Sequence, residues 1–151
     1  MTQAKDIIAP DAIYYGCDGF DGLAGQFEDF SVIPQEVPML SHFDSNATEG
    51  AAAEFIKKYT EAYGADTLNQ FGASAYDCVY ALVGAMQAAI DAGEEIDVTI
   101  SASDLCEILK EQFTGGFSYS GVTGNDITWE DNGYVSKEAV KYTLKTANSA
   151  Q

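Results

Sequence analysis

Basic and imidazole groups are scarce in this sequence. Seven Lys and Arg stand against 24 Asp and Glu, and His42 is the single histidine. The resulting formal charge of −17 repels nucleic-acid phosphate and anionic lipid headgroups alike, so neither is an expected partner. The acidic residues are spread among apolar ones instead of forming a run, which is the pattern of a solvated globular surface. One histidine gives no HExxH motif and little material for an imidazole metal site. His42, beside an extended stretch, is therefore expected to be structural.

Cysteine is sparse too. Cys17, Cys78 and Cys106 follow no CxxC or metal-finger spacing, and an odd number cannot all pair within one chain. Buried free thiols are the expectation. Cys17 has no basic or imidazole neighbour nearby to lower its pKa, which argues against a nucleophile. Without His, Lys and Arg constellations, no enzymatic activity, cofactor or metal is expected. No apolar run reaches membrane-spanning length, and no basic segment followed by an apolar one marks a leader. Read literally, that means a soluble cytoplasmic protein. The opening Met1-Thr2-Gln3-Ala4-Lys5 nevertheless reads as a chain entered in mid-course.

What is present is a single core's worth of apolar sequence. The chain has 151 residues, 46% hydrophobic and 12% aromatic, too short for two full domains. Ala12-Ile13-Tyr14-Tyr15 predicts a buried strand ending at Gly16. Val37 to Phe43 predicts a second extended stretch, with Pro38 at an edge or near its start. Asp44, Ser45 and Asn46 supply turn and cap chemistry.

Ala52, Phe55, Ile56, Tyr59 and Tyr63 predict a helix over about 48–63, stopped by Gly64, with Glu54 and Lys58 paired on its outer face. A second helix, about 71–92, carries Ala75, Tyr76, Val79, Leu82, Val83, Met86 and Ile90. It is apolar almost all round and so expected to be heavily buried. A third begins at Ser101 or Ser103, where Ser101 and Asp104 stand three apart like a capping pair, and ends at Gly115-Gly116. Alternation at Ile127, Trp129, Val140, Tyr142 and Leu144 around Asp131-Asn132-Gly133 predicts a β-hairpin over about 126–144. No internal repeat is evident, and the class is α/β.

Gly16, Gly19, Gly22 and Gly25 follow the first strand, but their spacing fits neither GxGxxG nor a P-loop, and Asp18 and Asp21 would repel phosphate. An acidic, glycine-rich loop suits a cation instead, either calcium or the ammonium group of a ligand. The turn at Asp131 lacks the twelve-residue ligand pattern of an EF-hand.

Tyr14-Tyr15-Gly16-Cys17-Asp18-Gly19-Phe20-Asp21 is similar to the Gly-x-Asp-Gly-[Phe or Trp]-Asp loop of type I periplasmic binding proteins of the leucine/isoleucine/valine class. Three further segments follow in that family's order: Phe55 to Gly64, Phe71 to Asp77, and Gly121-Val122-Thr123-Gly124 with the hairpin through Trp129 to Gly133. Together they cover nearly the whole chain. The resemblance implies part of a fold with two Rossmann-like lobes, of which this chain supplies the later half. Residues 1–39 and 142–151 would be pieces of one lobe, and residues 40–141 the helical and hairpin part of the other.

The implied function is the extracytoplasmic solute-binding subunit of an ABC importer for branched-chain or related amino acids. The fold also serves as the ligand-sensing domain of receptors, which is the alternative. Asp18 matches the residue that accepts hydrogen bonds from a ligand's α-ammonium group, Gly19 would let the backbone approach closely, and Phe71 matches a position packed on the ligand's side chain. Cys17 departs from the commoner small residue there, leaving side-chain selectivity open. Tyr76 and Asp77 match a recurring pair that serves packing and helix support. The implied partners are an amino acid, a transporter permease and the upstream portion of the same protein. Alone, the chain is expected to bind ligand feebly and to form oligomers or strand-swapped dimers.

Overall fold

The structure, a computed structural model, describes the backbone of residues 1–144 apart from Thr2, Lys5, Asp6, Pro10, Asp11 and Pro34. The side chains of Ala24 and Ser31, and residues 145–151, also lie outside the description, and with them most of the tail assigned by resemblance to one lobe. The described chain mixes helix and strand, as an α/β reading requires, but its sheets are small. The elements are β1 (Pro38–Ser41), α1 (Gly50–Tyr63), α2 (Gln70–Asp91), α3 (Ala102–Thr114), β2 (Thr128–Trp129), β3 (Val135–Ser136) and β4 (Val140–Thr143). Short 3-10 turns fill the segment before β1. Strands and helices do not alternate regularly: the three helices follow one another between β1 and β2.

The first expected strand is only partly made. Tyr14 N–H donates to Glu36 O at 3.0 Å, Gly16 N–H to Pro38 O at 3.1 Å, and Leu40 N–H to Gly16 O at 3.0 Å. These bonds lay residues 13–16 parallel to β1 as isolated bridges, not as a strand. The break has a cause in the sequence. The next donor to the Tyr14 carbonyl in a parallel ladder is residue 38, and a proline has no N–H to give. Pro38 is itself the first residue of β1, as expected of a strand proline.

The predicted hairpin is shorter than its alternation suggests. β2 pairs with β3 across the Asp131-Asn132-Gly133 turn, with Trp129 opposite Val135, and Gly133 takes a positive φ of 82° there. Val140 and Tyr142 do not return along β2. They belong to β4, which runs antiparallel to β1 with Met39 opposite Tyr142. Period-two alternation shows that a segment is a strand but not which strand it pairs with.

α1 ends at Gly64 (φ 84°), as predicted, and Glu54 and Lys58 approach to 4.0 Å on its exposed face. Ser101 caps α3: its Oγ accepts from Asp104 N–H at 3.1 Å and donates to Asp104 Oδ2 at 2.7 Å. Gly115 closes the same helix. One core cluster joins Phe43, Phe55, Ala73 and Val122, and another joins Phe30, Ile33 and Val37. Phe113 of α3 packs at a tilt against Trp129 of β2, 4.6 Å between ring centroids.

α2 overturns the expectation of heavy burial. Beyond the buried Gln70 of its first turn, its buried face is narrow and made of Ala73, Asp77, Ala81, Ala85 and Ala89, at every fourth residue. The larger side chains Val79, Leu82, Val83 and Ile90 are exposed. α2 packs against α3, and the bulky side chains opposite the alanines stay uncovered. The cysteines correct a second expectation, because Cys17, Cys78 and Cys106 are free and exposed, not buried.

Candidate functional site

Two polar arrangements position the residues singled out by the sequence. The first is the joint between the glycine-rich loop and the start of α2. Phe20 N–H donates to Cys17 O at 2.8 Å and Asp21 N–H to Asp18 O at 3.0 Å, closing a tight turn over Asp18–Phe20. Asp21 then reaches across to α2, where its carboxylate accepts the Gln70 N–H at 2.6 Å. Asn69, the residue preceding the helix, accepts from Gly72 N–H at 2.9 Å. The first turn of α2 is thus capped twice, once locally and once by the distant loop.

The buried Gln70 side chain completes the clamp. Its Nε2 donates to Asp18 O at 3.0 Å, its Oε1 accepts from Ser41 Oγ at 2.9 Å, and Ser41 Oγ also accepts from Phe43 N–H at 3.1 Å. Loop, β1 and α2 are held by one side chain, whose bond to Ser41 is buried and whose bond to Asp18 is part-buried.

Above this joint lies an open cleft of about 490 Å³ lined by Cys17, Asp18, Ser41, His42, Gln70 and Phe71, among others. Asp18 and Phe71, picked out separately in the sequence, therefore share one cavity. Phe71 is 61% exposed, so it is not a core residue. Gly19 sits exposed in the same turn with open space around it, and it does not line the cleft. His42 rests at the edge, its Nδ1–H donating to Glu138 O at 2.9 Å.

No Lys or Arg is among the lining residues. The Ser41 hydroxyl and the Gln70 amide are already engaged, and Asp18 is the one carboxylate of the lining, the group able to take up a cationic ligand. It can pair with an ammonium group by charge-assisted hydrogen bonds, with the Phe71 ring beside it for an apolar substituent. Among the described residues, no cluster of three or more His, Cys, Asp or Glu could hold a metal ion, and no helix is long and apolar enough to cross a membrane.

The second arrangement is a buried carboxylate. Asp77, 5% exposed, accepts from Val122 N–H at 2.9 Å, Thr123 N–H at 2.8 Å, Tyr119 Oη–H at 3.1 Å and the Thr123 hydroxyl. A Cβ at Gly121 would collide with Asp77 Oδ1, so only glycine lets the turn come this close. Burial, reinforced by the Asp77 charge, raises the Tyr119 phenol well above its ordinary value. Nearby, burial lowers the Lys137 ammonium, opposed by the attraction of Asp77. The expected support role of Asp77 is thus specified: it fastens the 119–123 turn to α2. Gln70 and Ser41 were not picked out in the sequence, because nothing local marks a glutamine or serine as buried and shared between elements.

No family model matches the chain, and no curated protein matches it.

Proposed function

We propose that this chain is the later half of a type I solute-binding protein with two Rossmann-like lobes. In this reading it is the extracytoplasmic subunit that hands branched-chain or related amino acids to the permease of an ABC importer. The observation that carries the reading is the shared cleft, in which Asp18 and Phe71 are brought to one cavity by the Gln70 clamp. A volume of about 490 Å³ suits a small solute. The carboxylate and ring suit the two ends of an apolar amino acid: Asp18 takes the ammonium group and Phe71 the side chain.

The cleft offers no Lys or Arg for the ligand's carboxylate, so the upstream portion of the protein supplies those donors. Residues 1–39 and 142–151 contribute to one lobe and residues 40–141 to the other. The protein performs no bond-making chemistry; hinged closure of the lobes around the solute creates the form that the permease recognises.

The test is calorimetric titration of leucine, isoleucine, valine and a wider amino-acid panel into the chain joined to the upstream portion of the protein, comparing wild type with Asp18→Ala. Removing one partner of a buried charge pair is expected to weaken binding by about 100-fold, and the 151-residue chain alone is expected to bind more weakly than about 1 mM. No binding across the panel, or binding indifferent to Asp18→Ala, overturns the proposal.

A further inference from the structure

A cavity of about 410 Å³ between α1, α2 and the 119–123 turn is walled by aromatic rings. Five of them form an unbroken series across the two helices: Tyr63, Tyr59 and Phe55 of α1, then Tyr76 and Tyr80 of α2, with neighbouring centroids 4.5 to 5.5 Å apart. Tyr119 adds a sixth ring from the turn. Core packing accounts for Phe55, which is 7% exposed, but not for Tyr63 at 72% or Tyr80 at 51%. The cavity shares no residue with the cleft around Asp18 and Phe71.

The phenol groups are largely engaged with the protein itself. Tyr59 Oη donates to Thr67 O at 3.3 Å, Tyr119 Oη donates to Asp77 Oδ1 at 3.1 Å, and Tyr76 is hydrogen-bonded to Tyr80. What these four present to an occupant is ring surface, whose negative π faces attract a cation. The charges around the rings act in the same direction. Glu54 lines the cavity, and Asp77 stands behind Tyr119. The Tyr76 phenol is raised chiefly by its hydrogen bond with Tyr80 and then by burial, and the charges of Asp77 and Glu54 add to this, so both carboxylates are felt at the rings. Among the described residues Lys58 is the one cation of the lining. It faces Glu54 at 4.0 Å with both side chains exposed, at 76% and 78%, a pair weak enough to exchange for a ligand.

We propose that this cavity is a second binding site, which takes a small alkylated ammonium ion against the tyrosine rings and beside Glu54. The charge of −17 draws any small cation toward the protein, so the selection comes from the rings. A primary ammonium holds its water by strong hydrogen bonds, and the engaged phenols are poor replacements for that water. An ammonium whose N–H groups are replaced by methyls has little hydration to lose and an apolar surface that suits ring walls. The Asp18 carboxylate suits a cation with N–H groups to donate, whereas the ring cavity suits one with none.

The experiment is calorimetric titration of choline into the 151-residue chain, with the uncharged alcohol in which carbon replaces the choline nitrogen as the control ligand. Choline is expected to bind with a Kd of about 1 mM or tighter, and the alcohol at least about tenfold more weakly. Tyr63→Leu and Tyr80→Leu are each expected to weaken choline about threefold, and Tyr63→Phe and Tyr80→Phe to leave it within about twofold, because phenylalanine keeps a π face. Both positions are exposed, so all four variants are expected to retain the wild-type circular dichroism. Choline binding is also expected to survive Asp18→Ala and the joining of the chain to the upstream portion of the protein. No choline binding up to about 10 mM, equal binding of the alcohol, indifference to Tyr63→Leu and Tyr80→Leu, equal loss in Tyr63→Phe and Tyr80→Phe, or loss of binding in Asp18→Ala or in the joined protein overturns the proposal. The comparison of choline with the alcohol uses the wild-type chain and needs no variant to fold. Failure at the rings leaves amino-acid binding at Asp18 standing, and the converse holds, so the two proposals fail separately.

Discussion

Asp77 holds Thr123 by both its main-chain N–H, at 2.8 Å, and its hydroxyl, which makes one carboxylate oxygen the anchor of an entire turn. The other oxygen takes Val122 N–H and the Tyr119 phenol. Removing that acceptor strands several buried donors at once. Asp77→Ala is therefore expected to destabilise the protein by about 3 kcal/mol. Asp77→Asn costs less, because one amide oxygen remains to accept while its NH2 faces donors. Gly121→Ala is expected to mimic the loss by pushing the turn off the carboxylate. Urea midpoints of the three variants check this, and an Asp77→Ala midpoint equal to wild type would show that the turn is held by something else.

The clamp at Gln70 makes a different prediction, because it joins elements without building any of them. Gln70→Leu keeps the side chain's bulk but removes its bonds to Asp18 and Ser41. The expected outcome is a loss of about 1–2 kcal/mol with helix content unchanged. Proteolysis should become faster within residues 17–26, where the loop loses its tether. Unchanged cleavage of that segment in Gln70→Leu would mean that Asp21 alone holds the loop to α2.

Alkaline pH probes the Tyr119 contact. Burial and the Asp77 charge raise this phenol in the folded protein, whereas in the unfolded chain it titrates near its ordinary value of about 10. Below about pH 10 both states hold the proton, and the stabilisation is fully present. As pH rises past that point the unfolded chain releases its proton first, so unfolding becomes easier with each further increase. Tyr119→Phe is expected to flatten this dependence, read from unfolding free energies measured on either side of pH 10. Tyr76 is also raised, chiefly through its hydrogen bond with Tyr80, and burial raises Tyr142. A residual slope therefore remains in the variant, and only an unaltered slope would contradict the assignment.

Local chemistry was the legible part of the sequence. Gly64 and Gly115 as helix stops, Ser101 with Asp104 as a cap and Gly133 in the hairpin turn all act within a few residues, and each stands where its neighbours place it. The pairing of Asp18 with Phe71 came from the resemblance, and no periodicity would have joined them. What could not be read were the choices made between distant segments. Alternation in Val140 and Tyr142 did not tell β1 from β2 as their partner. The apolar residues of α2 did not show that alanines would win the buried side. Helix–helix packing rewards close backbone approach, which favours the smallest side chains, so hydrophobic content alone overstated how much of the helix is buried. Gln70 and Ser41 belong to the same class, being polar residues whose role exists only once three elements have met.

Pro38 has one more effect, on the order in which the molecule opens. Because it has no N–H for the Tyr14 carbonyl, residues 13–16 are fastened to β1 by spaced single bonds, while β1 and β4 keep a continuous register across Pro38 to Ser41. The segment leading into the Asp18 loop can detach from its neighbour while the β1–β4 pair stays closed. In amide exchange, Tyr14 and Gly16 would lose protection in brief local openings that leave Met39 untouched. A strand proline is thus expected to make the approach to the cleft a separately opening unit of the protein.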